Sequence, residues 1–221
     1  MQQFLGPSRT PRVIKSMIWI IAICSLLYPI LTYFLIKGFN LRSFGFFFPL
    51  SWMGLKQGFI WQFLTYFFVH SVGTNFSLWF LIMLFFHLFL FWFTGCELAS
   101  RYGTLRFMLF YLGGGIFAGL WTMLYFILFD KQGILVGSSP PVYAMLMVWG
   151  MIYPKLLLHI FLVWRVHAKW IVLLLLGISL LLNLFSGDFA YFIADLAGIL
   201  WGFCIGHFLW KLPNPYWGRF R

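Results

Sequence analysis

The chain has 221 residues, of which 63% are hydrophobic and only 9% are charged, with a formal net charge of +11. Its mean hydropathy is +0.94. A chain with so few charged residues cannot cover a water-soluble core with polar surface, which excludes a soluble globular fold. The sequence is therefore that of an integral membrane protein. We expect no separate soluble domain beside the membrane-embedded part.

Six stretches are apolar and long enough to cross about 30 Å of hydrocarbon. They cover residues 17–36, 74–96, 107–129, 132–154, 170–187 and 189–210. This pattern predicts an all-α membrane protein, a bundle of six transmembrane helices in one membrane domain over 17–210. The first span lacks a small-residue cleavage site, so we expect it to be retained. Residues 1–16 and 211–221 are then short tails.

The 15 Lys and Arg residues set the expected orientation. With both termini in the cytoplasm, eleven of these cations fall on the cytoplasmic side and four outside, as the positive-inside bias requires. Topology and attraction to anionic lipid therefore explain the net charge. Because the cations are scattered among loops, we expect no nucleic-acid partner.

The segment 38–73 between the first two spans is rich in Phe and Trp. Aromatic rings favour the depth of the lipid headgroups, so we expect this segment to lie in the membrane interface. A partly folded loop outside the membrane is the alternative.

Glycines recur in the third and sixth spans, at residues 113–115 and 119 and at every fourth residue of 198–206. Small residues at this spacing let helix backbones approach closely within a membrane. We therefore expect both spans to pack tightly against neighbouring helices.

Asp195 is the most informative residue, because it places a carboxylate inside an apolar run. An ionisable side chain at membrane depth costs about 2.5 to 3.5 kcal/mol on insertion scales, so it normally faces a bundle interior or a water-filled site. Gly198 and Gly202, three and seven residues later, share its helix face. We expect this face to meet the fourth helix.

Ser139 follows Gly137 and Ser138 and precedes Pro140 and Pro141. Prolines suit the first turn of a helix, where their missing N–H groups would be unpaired anyway. This predicts that Ser139 lies near the N-terminus of the fourth helix. Two interpretations stay open: a helix cap, or a reactive hydroxyl at an end whose dipole favours negative charge.

Several blocks, in order from about residue 61 to residue 207, resemble the rhomboid family of intramembrane serine proteases. The block 61–70 (WQFLTYFFVH) resembles the start of the family's second helix, and 95–107 (GCELASRYGTLRF) resembles its Glu/Arg-containing turn into the third. Residues 137–139 (GSS) resemble its Gly-x-Ser nucleophile motif, and 195–202 (DLAGILWG) resembles its sixth helix. Glu97 and Arg101, four residues apart, would then form a structural pair, with partner contact as the alternative.

The resemblance assigns Ser139 to the nucleophile position and Tyr143 to an aromatic support. It also implies three departures from the family pattern. Asp195 replaces the base histidine, His87 replaces the oxyanion-stabilising Asn with Met83 four residues before it, and Pro140 replaces a glycine. An ordinary carboxyl, with a pKa of about 4, is a far weaker base than an imidazole. A neutral His87 still donates one hydrogen bond.

Two functions follow from these residues. The first is a rhomboid-like protein with impaired or absent proteolysis that binds transmembrane segments of client membrane proteins, single-pass or multi-pass. The alternative is an active intramembrane endopeptidase with Ser139 as nucleophile, assisted by Asp195 or by a His87–Asp195 arrangement. A transporter is a third, weaker class, since no paired repeat is visible.

No other residues suggest a second site. Cys24, Cys96 and Cys204 have no metal-binding spacing, so we expect free thiols and neither metal nor cofactor. We expect His70 to mark the interfacial end of the aromatic segment, and we assign no role to the other histidines. The family resemblance suggests a bacterial cytoplasmic membrane, while the oligomeric state stays open.

Overall fold

The computed structural model describes residues 10–39, 42–71, 77–160 and 164–216. Its helices are α1 (Arg12–Phe39), α2 (Trp52–Lys56), α3 (Gln62–Thr65), α4 (Leu78–Tyr102), α5 (Thr104–Leu128), α6 (Ser139–Ile152), α7 (Ala168–Phe185) and α8 (Phe189–Cys204). Short 3-10 helices cover Arg42–Phe46 and Tyr66–Phe68, and a π-helical turn, Ile205–Leu209, continues α8. Arg9, Arg219 and Arg221, which contributed to the expected orientation, lie outside the described residues.

Two small antiparallel sheets accompany the helices. Strand β1 (Leu50–Ser51) pairs with β2 (Ile134–Leu135), with Leu50 opposite Leu135. Strand β3 (Leu157–Ile160) pairs with β4 (Trp164–His167) and forms a hairpin before α7. The first sheet connects the aromatic segment to the chain that leads into α6.

The predicted all-α membrane class is confirmed. Within the described residues, α1, α4, α5, α7, and α8 with its π-helical turn are long and apolar enough to cross a membrane. Helix α1 begins at Arg12, inside the stretch expected to be a tail, and reaches Phe39.

The fourth predicted span, 132–154, is wrong in length. Only Ser139–Ile152 is helical, and a helix of 14 residues is about 21 Å long, too short for the hydrocarbon core by itself. Upstream of it, β2 pairs with β1 and Gly137 has a φ of +105°, a left-handed conformation that ends any continuous helix. Apolar composition alone does not separate a buried strand from a helix.

Helix α6 is the centre of the bundle. All its residues are buried, and it packs against α4, α5, α7 and α8. A helix that is apolar on every side is stable only when other elements surround it. Helix α6 therefore holds its N-terminal Ser139 within the protein rather than at the lipid surface.

The closest helix contact is that of α8 on α6, as the glycine spacing predicts. A Cβ atom on Gly198 would overlap the carbonyl oxygen of Pro140, and one on Gly202 would overlap that of Ala144. On its other side, α8 packs Trp201 over Gly113 and Gly114 of α5. The expected tight packing of both glycine-rich spans is confirmed.

The segment after α1 is folded against the bundle where the structure describes it. Tyr66 and Phe67 are fully buried, and the Tyr66 hydroxyl donates to the Gly115 carbonyl at 2.8 Å. The Gln62 amide oxygen accepts from the backbone N–H of Ser51, and its amide nitrogen donates to the Phe46 carbonyl. Residues 40–41 and 72–73 lie outside the described residues, and the interfacial location stays a prediction.

Glu97 and Arg101 lie in the last turns of α4. Arg101 Nη1 is 3.9 Å from Glu97 Oε1, and Tyr153 beyond α6 donates its hydroxyl to the same oxygen at 2.5 Å. The expected pair is present and connects the end of α4 to the end of α6.

Replacing Gly198 with Ala should destabilise the bundle by about 1 to 3 kcal/mol, the usual cost of forcing a methyl group into a closed contact. The new Cβ meets backbone atoms of Pro140, which cannot rotate away. Thermal unfolding in detergent measures the change. The control is Gly177→Ala on α7, where no atom lies within 4 Å of the added Cβ. Equal stability of the two variants would contradict the close packing of α8 on α6.

Candidate functional site

Ser139 and Asp195 form the centre of the candidate site. The Ser139 hydroxyl donates to Asp195 Oδ1 at 2.7 Å, although 56 residues separate them in sequence. Ser139 is the first residue of α6 and Asp195 lies on α8, one turn before Gly198. Both side chains are buried, with 8% and 2% of their surface exposed. The close contact of the two helices thus brings the serine and the carboxylate together.

Helix α7 contributes two further hydrogen-bond donors to the Asp195 carboxylate. Asn183 donates from its amide nitrogen to Oδ2 at 2.8 Å, and Ser179 donates its hydroxyl to the same oxygen at 3.3 Å. The Tyr143 hydroxyl lies 2.9 Å from Ser179 Oγ and so joins the same network. Sequence reasoning missed Ser179 and Asn183, although an amide inside the apolar run 170–187 was an available signal.

A cavity of about 410 Å³ opens beside this network. Ser139, Tyr143 and Asp195 form its inner wall. Apolar side chains of α4 and α7 also line it, and four of them, Phe86, Leu175, Ile178 and Leu182, are exposed on the outer surface. Helices α4 and α7 both pack against α6 but hardly against each other, so the cavity reaches the outer surface between them.

His87 also lines this cavity, from α4. Its Nδ1 atom is buried and has no hydrogen-bond partner among the residues that the structure describes. Its ring centroid lies 6.3 Å from that of Tyr143. Ser139, Ser179 and Asn183 are the hydrogen-bond partners of Asp195, and His87 is not among them. The carboxylate therefore contacts the serine directly and does not orient an intervening imidazole.

His70, for which the sequence suggested only an interfacial position, connects three elements next to the site. Its Nδ1 lies 2.8 Å from Ser25 Oγ of α1, and its Nε2 accepts from the backbone N–H of Ser138 at 3.2 Å. Because Nε2 is an acceptor, the imidazole is neutral with its proton on Nδ1. That proton is donated to Ser25, whose own hydroxyl donates to the Phe68 carbonyl at 3.1 Å. The Ser138 hydroxyl lies 2.9 Å from Nε2 as well.

His70 thereby satisfies an N–H group at the start of α6, the end that carries Ser139. The first N–H groups of a helix have no partner inside the helix and need one elsewhere. Burial, reinforced by repulsion from His87, lowers the pKa of His70 to about 3. Sequence reasoning missed this role because the contact spans 68 residues.

Backbone donors are scarce around Ser139. Pro140 and Pro141 occupy the positions after it and provide no N–H groups, while the Val142 N–H donates to the Ser138 carbonyl at 3.0 Å. An oxyanion hole usually combines preorganised N–H groups or side-chain donors directed at the developing charge. The start of α6 offers less of this stabilisation than a helix without prolines.

The remaining sequence candidates lie apart from this network. His207 lies in the π-helical turn, where its Nδ1 is 3.1 Å from the Leu212 carbonyl. Cys24, Cys96 and Cys204 are free thiols. Within the described ranges, no group of three or more His, Cys, Asp or Glu residues could hold a metal ion. The absence of a cofactor stays a prediction.

These features define a class: a helical membrane protein in which a buried serine–carboxylate pair lies beside a cavity. A family model described as Rhomboid domain matches residues 57–212. The chain belongs to the rhomboid family. A search of curated proteins finds no match.

Replacing His70 with Gln should flatten the pH dependence of stability between pH 6.5 and about 4. The folded pKa of His70 is lowered to about 3, so below pH 6.5 the unfolded chain takes up a proton that the folded protein does not. Stability is therefore highest above pH 6.5 and falls with acidification, at up to about 1.4 kcal/mol per pH unit for one proton.

Thermal unfolding in detergent across this pH range measures the effect. Gln retains an acceptor for the Ser138 N–H but does not titrate. The control is His167→Gln, at an exposed position. A His70→Gln profile parallel to that of the wild type would contradict a neutral, buried His70.

Proposed function

We propose that this rhomboid-family protein binds transmembrane segments of client membrane proteins and has impaired or absent peptidase activity. We further propose a bacterial cytoplasmic membrane, which the family resemblance suggests, with both termini in the cytoplasm, which the positive-inside distribution supports. The observation that carries the proposal is the 2.7 Å hydrogen bond from Ser139 to Asp195. It joins the nucleophile position to a carboxylate where the family resemblance implies a histidine base.

The chemistry of a serine protease needs a group that accepts the serine proton and then delivers it to the leaving amine. An imidazole does both near neutral pH, whereas an ordinary carboxyl, with a pKa of about 4, is a much weaker base towards a hydroxyl. Asn183 and Ser179 donate to the same carboxylate. Both donors bind Oδ2, which leaves Oδ1 in contact with the serine hydroxyl.

Two further features support impaired catalysis. Pro140 provides no backbone N–H next to the nucleophile position, and His87 replaces the amide that the family uses as a donor. Changing one member of a nucleophilic unit typically costs several orders of magnitude in rate. Here three positions of the unit differ at once.

Client binding is supported by the cavity and its surroundings. Its opening between α4 and α7 is lined by Phe86, Ile178 and Leu182, which are partly exposed on the outer surface. Helices in a membrane associate through packing and hydrogen bonds rather than through a hydrophobic drive. A polar inner wall behind an apolar opening offers both kinds of contact to a transmembrane segment.

An active endopeptidase is the second candidate function. The observation that favours it is again the direct contact of Ser139 with Asp195, since a nucleophile and its base must lie within hydrogen-bond reach. In that function Asp195 itself would accept the serine proton.

Cleavage of a transmembrane substrate with a helix-breaking segment separates the two functions. We expect no product from the wild type in liposomes, and product from Asp195→His, or from Asp195→His combined with His87→Asn and Pro140→Gly. Adding Ser139→Ala should abolish that product, and a fluorophosphonate should label only variants with a competent serine. Wild-type cleavage that is lost in Ser139→Ala would establish the endopeptidase and overturn the proposal.

Filling the cavity should weaken client binding. Ile178→Trp adds bulk at the opening, so we expect the crosslinking yield of a photoreactive, Leu-rich transmembrane peptide in nanodiscs to fall at least about threefold. The matched control is Leu181→Trp on the same helix, which is similarly exposed but does not line the cavity. Equal yields for both variants would mean that clients dock elsewhere or not at all.

A further inference from the structure

We infer that the cavity selects client transmembrane segments that carry a cationic side chain, Lys or Arg, and that Asp195 is its counter-charge. The inference rests on the proposed client binding and specifies its chemistry. The starting observation is a buried carboxylate without a cation. Within the part of the chain that the structure describes, Asp195 receives hydrogen bonds only from neutral groups and forms no ion pair with Lys or Arg.

The carboxylate has acceptor capacity left. An ionised carboxylate offers about four lone-pair sites. Among the described residues, Oδ2 accepts from both Asn183 and Ser179, whereas Oδ1 accepts only from Ser139. Because Asp195 lines the cavity, a ligand there can reach it as a further donor. Buried charges in membrane proteins are normally paired, and a client side chain can supply the cation that the described residues do not.

The other polar groups of the wall also suit a donor-rich ligand. His87 lines the cavity, and its buried Nδ1 has no hydrogen-bond partner within the described ranges. Tyr143 and Ser139 add hydroxyl oxygens to the same wall. No Lys or Arg is among the described residues that line the cavity, and His70 is neutral, so no positive charge repels a cation.

The shape of the cavity favours a long side chain. Apart from its polar wall, the cavity is lined by apolar side chains of α4 and α7, among them Met83, Leu175, Ile178 and Leu182. Lys and Arg place an apolar stem along such a surface and a charged group at its end. An ammonium group also has three N–H donors and no acceptor atom, which matches a wall rich in acceptors.

The position of Asp195 along α8 also predicts where along its span a client should carry the cation. It is the seventh residue of α8, so it lies about 9 Å along the helix from the first residue of that helix. A client cation should therefore be effective at about six residues from one end of its span, and not at the same distance from the other end.

The test uses Leu-rich single-span peptides that differ at one position, which carries Lys, Gln, Glu or Leu. Each substitution is placed six residues from the N-terminal end in one series and six residues from the C-terminal end in another. Affinity for the full-length protein is measured by fluorescence transfer in nanodiscs of zwitterionic lipid at neutral pH. In one of the two series, we expect the Lys peptide to bind about tenfold or more tightly than the Leu peptide, with Glu the weakest.

Asp195→Asn removes the charge and keeps the size, so it should abolish the Lys preference. The matched control is Asp188→Asn, which changes an exposed carboxylate just before the same helix and should leave the preference intact. Thermal unfolding establishes that both variants are folded. The comparison of the two peptide series uses only the wild type, so it does not depend on how the variants fold.

The outcomes distinguish failure of the cation preference from failure of the proposed client binding. Equal binding of Lys and Leu peptides, a preference for Gln over Lys, or a Lys preference that persists in folded Asp195→Asn overturns the inference and leaves client binding standing. Absence of binding by every peptide overturns both.

Discussion

The contact between α6 and α8 is the constraint on which the rest of the site depends. Gly198 and Gly202 have no side chain, so the backbone of α8 lies directly against the carbonyl groups of Pro140 and Ala144. Asp195 precedes the first glycine by one turn, and Ser139 precedes Pro140 by one residue. Where the backbones touch, the two side chains next to the contact meet at 2.7 Å. The distance between serine and carboxylate is thus set by helix packing and not by a flexible loop.

Around this contact, hydrogen bonds from separate elements fix each partner. Helix α7 holds the carboxylate through Asn183 and Ser179, while His70 holds the start of α6 through Ser138. A serine–histidine pair needs a proton that moves between its members. In this structure the serine hydroxyl donates directly to the carboxylate, without an intervening imidazole. The carboxylate is held from two sides, by the serine of α6 and by two donors of α7.

The sequence predicted the parts that depend on local pattern. Hydropathy located five spans, with ends up to six residues away from those observed. The prolines placed Ser139 at the start of a helix, and glycine spacing predicted which helix faces Asp195. It failed where pairing between distant segments decides the structure. The short β2 strand replaced a helical turn before α6 because β1, more than 80 residues earlier, provides its hydrogen bonds. His70, Ser179 and Asn183 joined the site through contacts that no periodicity reveals.

The shortness and complete burial of α6 also bear on how the protein reaches its membrane. The helix has 14 residues, and two of its first three are prolines. It is a poor candidate for independent insertion, because stable single spans need about 20 apolar residues. Helices α5 and α7 flank it in sequence and are each long enough to cross the bilayer. Helix α6 therefore depends on these neighbours for a stable position in the membrane. Ser139 is buried because α4, α5, α7 and α8 surround the helix that carries it.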